Sequence, residues 1–278
     1  EDNFLHLERQ LAECFSHKKG PGDLPVSKRS SRMIKGAIVP HAGYFFSGPC
    51  AAWVHKEIAE SAFPDTFLII GTNHTGFPSH ATMKMNWETP FGIVRTDDEL
   101  IRLLVEKAGM VNDEHAFENE HSIEVQLPFL QFANKDLLGK LRIAPLILGH
   151  RVLYDVKALA LTLQECIMDL GRRVCILVSS DFTHYGPNYH FVPFEGEPAE
   201  RLYAFDQKAI DFIRKKDRRG FENYIDETNA TICGAQPIAL LMEILKNAEK
   251  IQLLQYYTSG DIIQDYKNAV GYAAITFE

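Results

Sequence analysis

The sequence predicts an α/β fold, an α/β/α sandwich around a central mixed, mainly parallel sheet. Three observations point there. Four short apolar runs, "MIKGAIVP" (33–40), "TFLIIG" (66–71), "LRIAPLILG" (141–149) and "RVCILVSS" (173–180), lack the polar alternation of a half-exposed strand, so each reads as a strand buried on both faces. Helix-length segments separate them, which suits a sheet covered on both sides. No repeat, low-complexity tract or linker follows residue 32, so residues 1–278 are read as one domain.

The elements follow in order. Residues 3–16 carry Phe4, Leu5, Leu7, Leu11 and Phe15, a helical stripe. A Gly/Pro/Ser/Lys-rich loop leads to the strand at 33–40. "GPCAAWVHKEIAE" (48–60) is helical, and 66–71 is the second strand. Pro-Phe-Gly between β-friendly runs predicts a hairpin within 80–96. Helices are expected over 97–107 and 120–133, the latter capped by Asn119 or Ser122 with His121 in its first turn. Helices at 154–170, 198–215 and 235–247 and strands at 251–259 and 270–277 complete the chain.

Composition narrows the function classes. The chain has 278 residues, enough for a substantial core, with a net charge of −8 and a pI near 5.8. An acidic balance argues against nucleic acid as partner, because phosphate binding needs a concentrated basic face. The basic runs at 16–32 and 214–219 are not interleaved with aromatics and read as solvated surface. No apolar run approaches the ~20 residues of a membrane span, so no membrane partner is expected. No signal peptide is recognisable. The cysteines, Cys14, Cys50, Cys166, Cys175 and Cys233, are odd in number and lack C-x-x-C spacing. That disfavours a disulfide framework and suits a reducing cytoplasm.

In open α/β sheets, ligands bind beyond the carboxyl ends of the strands. His41 lies there in "PHAGY", His74 in "GTNHTG", and Asp181 and His184 in "SSDFTHYG". His6, His17, His55, His80 and His190 fall on surface or helix positions and receive no role. Cys233 precedes the helix at 235–247, whose dipole favours thiolate. Cys14, Cys50, Cys166 and Cys175 read as core residues. Two histidines with one cysteinate make a three-ligand set for Zn(II), Fe(II) or copper, with coordination positions left open. Asp181 can fill a position or orient His184. His121 either faces the same edge or sits in a capping box with surface charge.

The motifs "PHAGYFFSG", "GTNHTG", "TPFGIVRTD", "EHSIEVQLPFL", "SSDFTHYG" and "TICGAQPI", in this order and spacing, resemble the Memo family, which includes the B component of the AmmeMemoRadiSam system. The resemblance covers about residues 33–278, and the family is similar to LigB-type class III extradiol dioxygenases. It implies that His41, His74 and Cys233 are metal ligands. It also implies that Asp181 and His184 line the same pocket, His184 resembling the dioxygenase base. The chain opens at "EDNFLHLERQ", without the Gly-aromatic-Tyr-Pro segment usual in the family. The family itself carries Cys233 where the dioxygenases have a carboxylate. A thiolate donates more electron density and is itself oxidisable, so kinship does not establish dioxygenase activity.

Three functional readings follow. The first is a metal-dependent redox enzyme holding iron or copper, with zinc as the further candidate. In it His184 is the acid/base, Asp181 its orienter, and Tyr44, Tyr185 and His121 line the space for a small-molecule or peptide ligand. The second is a phosphotyrosine-peptide-binding adaptor, as eukaryotic relatives are described. The third is a cysteine hydrolase with Cys233 as nucleophile.

Overall fold

The computed structural model describes residues 3–26, 28–149 and 155–278. In chain order these form α1 (Phe4–Ser16), β1 (Gly36–Val39), α2 (Tyr44–Ala59), β2 (Thr66–Gly71), β3 (Ala81–Thr82), β4 (Trp87–Thr89), β5 (Gly92–Thr96), α3 (Asp98–Ala108), β6 (Val111–Asn112) and α4 (Gln126–Ala133). There follow β7 (Arg142–Ile147), α5 (Val156–Leu170), β8 (Val174–Ser179), β9 (His184–Tyr185), α6 (Pro198–Arg214), α7 (Arg218–Thr228), α8 (Ala235–Ile244), β10 (Ile251–Thr258), α9 (Ser259–Ile263) and β11 (Ala269–Phe277). The first residue of the helix expected at 154–170 lies outside the described residues.

The sheet runs β10-β11-β1-β8-β2-β7-β3-β6. Its centre, β1-β8-β2-β7, is parallel, and β11 against β1, β10 against β11 and β3 against β7 are antiparallel. The expected mixed, mainly parallel sandwich is therefore observed. Every residue of β1, β2 and β8 is buried, and side chains alternate between the two faces. Ile38, Leu68, Ile70, Ile176 and Val178 pack with residues of α3, α5, α7 and α8. Ala37, Val39, Phe67, Ile69 and Leu177 pack on the other face with α1, α2 and α4. Each large apolar side chain so buried contributes about 1.5–3 kcal/mol, which is why these runs carry no polar alternation.

The differences from expectation have local causes. α2 starts at Tyr44 rather than 48 and continues through Pro49. The Tyr257 hydroxyl is inserted there, donating to the Phe46 carbonyl at 2.6 Å and accepting the Cys50 N–H at 3.2 Å. A side chain 207 residues away thus repairs the ladder that proline interrupts. α4 starts at Gln126, not 120, because the segment before it forms turns tied by side-chain bonds: the Ser122 N–H donates to Glu120 Oε1 and the Thr72 N–H to Ser122 Oγ. The hairpin within 80–96 is the β4–β5 pair, turning at Pro90 and Phe91. The 214–219 run links α6 to α7: Arg214, Lys215, Lys216 and Arg219 are exposed, as expected, Asp217 caps α7, and Arg218 is half-buried and paired with Glu222 and Glu243. No helix among the described residues is long and apolar enough to cross a membrane.

Candidate metal centre

β8 lies between β1 and β2, so the carboxyl ends of the three strands are neighbours at the ~4.8 Å strand spacing. Their continuations deliver His41, Asp181 and His74 to one place. Cys233 is delivered by a different element, just before the start of α8. The ligand atoms of His41, His74 and Cys233 all lie within 4.8 Å of one another. Cys233 Sγ is 3.4 Å from His41 Nε2, and the His41 and His74 rings meet edge-on at 5.1 Å. Gly234 is required by this approach, since a Cβ there would stand 2.5 Å from Ser180 Cβ.

The backing is built into the chain. Asp181 Oδ1 accepts the backbone N–H groups of His41 at 2.8 Å and Ala42 at 3.3 Å, and the Asp181 N–H donates to Cys233 Sγ at 3.2 Å. The expected orienting of His184 by Asp181 is thus replaced by orienting of the His41 loop. Glu120, buried on the far side, accepts the His74 N–H on Oε2 at 2.8 Å and faces His74 Nδ1 with Oε1 at 3.0 Å. His74, Glu120 and His121 also form a possible donor group. The Glu120 oxygens already serve two backbone N–H groups and the His74 ring, which makes this carboxylate an orienter of His74.

Charge follows geometry. Burial alone would raise the Cys233 thiol, but His41 and His74 overcome it and hold it down at about 5. Burial opposes charging His41, yet Cys233 and Asp181 raise it to about 9. Hydrogen bonds with Cys233 and Glu120 raise His74 to about 10. Against burial, bonds from His74 and Ser122 lower Glu120 to about 2. These shifts favour a thiolate facing protonated imidazoles, and a cation held by the same three donors would take the place of the protons on its ligand atoms. The donor set fits an imidazole- and thiolate-loving ion such as zinc, iron or copper.

His121 completes the outer face. Its half-exposed ring stacks on His74 at 4.7 Å and stands edge-on to His41 at 5.4 Å. Burial and the neighbouring His41 and His74 charges lower its pKa. His184 is tied to the chain just before Cys233: its N–H donates to Thr231 Oγ1 at 2.9 Å and its Nδ1 to the Thr231 carbonyl at 3.0 Å, leaving Nε2 free. The two tyrosines do not join the cluster. Tyr44 packs on Phe129 and donates to the Val125 carbonyl at 2.8 Å. Tyr185, on the strand face opposite His184, stacks on Phe194 at 4.8 Å. Glu120, and Ser179, whose Oγ lies 3.1 Å from His41 Nδ1, were missed in the sequence. An acid preceding a histidine in "NEHS" was the available signal for Glu120; nothing local marked Ser179.

Fold and site together define an open-sheet α/β protein with a His/His/Cys cluster at its parallel strand ends. The chain belongs to the Memo-like protein family, whose profile matches residues 1–276. It is 38% identical over 276 residues to a MEMO1 family protein of Methanopyrus kandleri, covering 98% of this chain and 93% of that protein. It is 40% identical over 277 residues to one from Desulfurococcus amylolyticus, covering 98% and 93%. The crystal structure of an uncharacterized protein from Escherichia coli K12 shares the fold, with a TM-score of 0.58 at 11% identity, covering 87% of this chain and 99% of that one.

Proposed function

We propose that this chain is a metal-dependent redox enzyme whose ion, iron or copper, is held by His41, His74 and Cys233. The convergence of these three donors within 4.8 Å carries the reading. Three protein ligands leave positions open, as a catalytic site needs. When bound, the ion supplies electron transfer and Lewis acidity. The protein supplies the rest. Asp181 fixes the His41 backbone, Glu120 fixes the His74 ring, and His184 offers its Nε2 for acid/base work. His121 borders the space for a small-molecule or peptide ligand. The cysteines are all free, which fits a reducing cytoplasm.

Metal analysis of protein produced in minimal medium tests this. Iron or copper is expected in the wild type and lost in His41→Ala. Absence of both metals, with redox activity intact in His41→Ala, overturns it. The 3.4 Å Cys233–His41 contact favours a second reading, a cysteine nucleophile with an imidazole base. Hydrolytic activity in metal-free protein, abolished by iodoacetamide, would select that reading.

A further inference from the structure

Asp206 is a buried acid that the metal centre does not use. It reaches in from α6 and is 0% exposed. Its Oδ1 accepts the hydroxyl of Thr183 and, at 3.3 Å, the Thr183 backbone N–H. Its Oδ2 meets the Tyr256 hydroxyl of β10 at 2.7 Å. β11 makes room for it: a Cβ at Gly271 would stand 2.1 Å from Asp206 Oδ2. Burying a carboxyl group is costly. An apolar side chain would fill the same space without either bond, so packing does not account for the acid.

The backbone shows where the acid acts. The Phe182 N–H donates to the Gly271 carbonyl at 2.8 Å, and the Gly271 N–H donates to the Thr183 carbonyl at 3.0 Å. The Thr183 N–H, between those two bonds, goes to Asp206 instead of to β11. On its other side the same segment meets the chain that carries Cys233. Thr183 is bridged antiparallel to Ile232. The His184 N–H donates to Thr231 Oγ1 at 2.9 Å, and that hydroxyl donates to the His184 carbonyl at 2.8 Å. Thr183 immediately precedes His184, and its partner Ile232 immediately precedes Cys233.

We propose that Asp206 is a positioning residue for Cys233 and His184: by gripping Thr183 through two donors it fixes segment 182–184 against residues 231–232, and so sets where the sulfur and the imidazole stand. The inference rests on the metal reading above, in which Cys233 is a ligand and His184 the acid/base. Without the carboxylate, two buried Thr183 donors have no acceptor. The segment can satisfy them only by shifting toward water, which pulls on Ile232 and on the cysteine after it. Tyr256 supplies an internal contrast. It bonds the same carboxyl group but makes no hydrogen bond to 181–184 or 231–233. Tyr256→Phe keeps the ring against Phe182 and leaves the Thr183 bonds in place.

The test follows amide hydrogen exchange in 15N-labelled, metal-free full chain, and zinc affinity by competition with a chelator. The reporter is the His184 amide, read against amides of β8, which follow the fold as a whole. Asp206→Leu and Thr183→Val are expected to speed His184 exchange about 10-fold relative to β8 and to weaken zinc binding about 10-fold, as loss of an outer hydrogen bond does. Asp206→Asn keeps an acceptor against Thr183 and is expected to match wild type in both. Tyr256→Phe is expected to lower stability and leave both readings unchanged, a split that a merely structural role would not give. His184 exchange in step with β8, or unchanged zinc affinity, in Asp206→Leu and Thr183→Val overturns the proposal. So does Tyr256→Phe reproducing their effects, or Asp206→Asn failing to restore them. If Asp206→Leu does not fold, Thr183→Val decides. Zinc affinity insensitive to Cys233→Ser would instead sink the metal reading, and the exchange comparison would then decide the role of Asp206 by itself.

Discussion

Glu120 grips His74 twice, one carboxylate oxygen taking the backbone N–H at 2.8 Å and the other facing ring Nδ1 at 3.0 Å. The side chain is fully buried and bonded to Ser122 as well, so neither oxygen has freedom to move. Such a carboxylate fixes the ring orientation and makes the remaining nitrogen a better donor. Glu120→Gln keeps the shape but places an amide N–H against one of its donors. Zinc affinity by chelator competition is expected to fall roughly 10–100-fold, with the fold retained. An unchanged affinity would remove Glu120 from the site.

Cys233 is the thiol expected to react first. Burial pushes Cys14 up to about 12 and raises Cys50, Cys166 and Cys175, and all four are buried. Limiting iodoacetamide on folded, metal-free protein near neutral pH is expected to label Cys233 before the others, read by peptide mass spectrometry. Zinc is expected to protect it. Equal labelling of Cys50 or Cys175 would mean that the core opens more readily than its packing implies.

His55 makes stability depend on pH. Its pKa falls from 6.5 in the unfolded chain to about 4 in the fold, so the folded state binds fewer protons. Its contribution is intact above the unfolded value and is lost as pH falls from there toward 4. The loss is ~3 kcal/mol at most. Denaturant unfolding at pH 7 and pH 4 is expected to show a smaller drop for His55→Phe than for wild type. Parallel curves would refute the assignment.

Asp206 works in the opposite sense. It is fully buried, accepts from Thr183 and Tyr256, and burial raises it from 3.8 to about 6. The folded state therefore favours the protonated acid. This contribution is complete below the unfolded value and is lost as pH rises through about 6, by ~3 kcal/mol. Asp206→Asn removes the penalty of ionising a buried acid. Its stability relative to wild type is expected to improve from pH 4 to pH 7 in the same unfolding assay. A constant difference across that range would contradict the buried-acid reading.

Much of this was legible along the chain. Continuous apolar runs announced strands buried on both faces, and Gly-bearing turns after them announced His41, His74, Asp181 and His184. The position of Cys233 before α8 was also readable, because a helix start is a local signal. Tyr44 and Tyr185 read as pocket residues from adjacency alone, and adjacency does not say which way a side chain faces. Tyr185 is turned from His184 by the strand alternation itself.

The sequence by itself determined the element types, the strand-end histidines and the thiol, since these depend on spacing and on residue chemistry within a few positions. Only the tertiary structure decided that β8 separates β1 from β2, that Glu120 stands behind His74, and that Asp181 serves His41. Those relations join residues 46 to 140 positions apart. A hydrogen bond of about 3 Å between such distant residues is set by sheet order and packing, which no local pattern records.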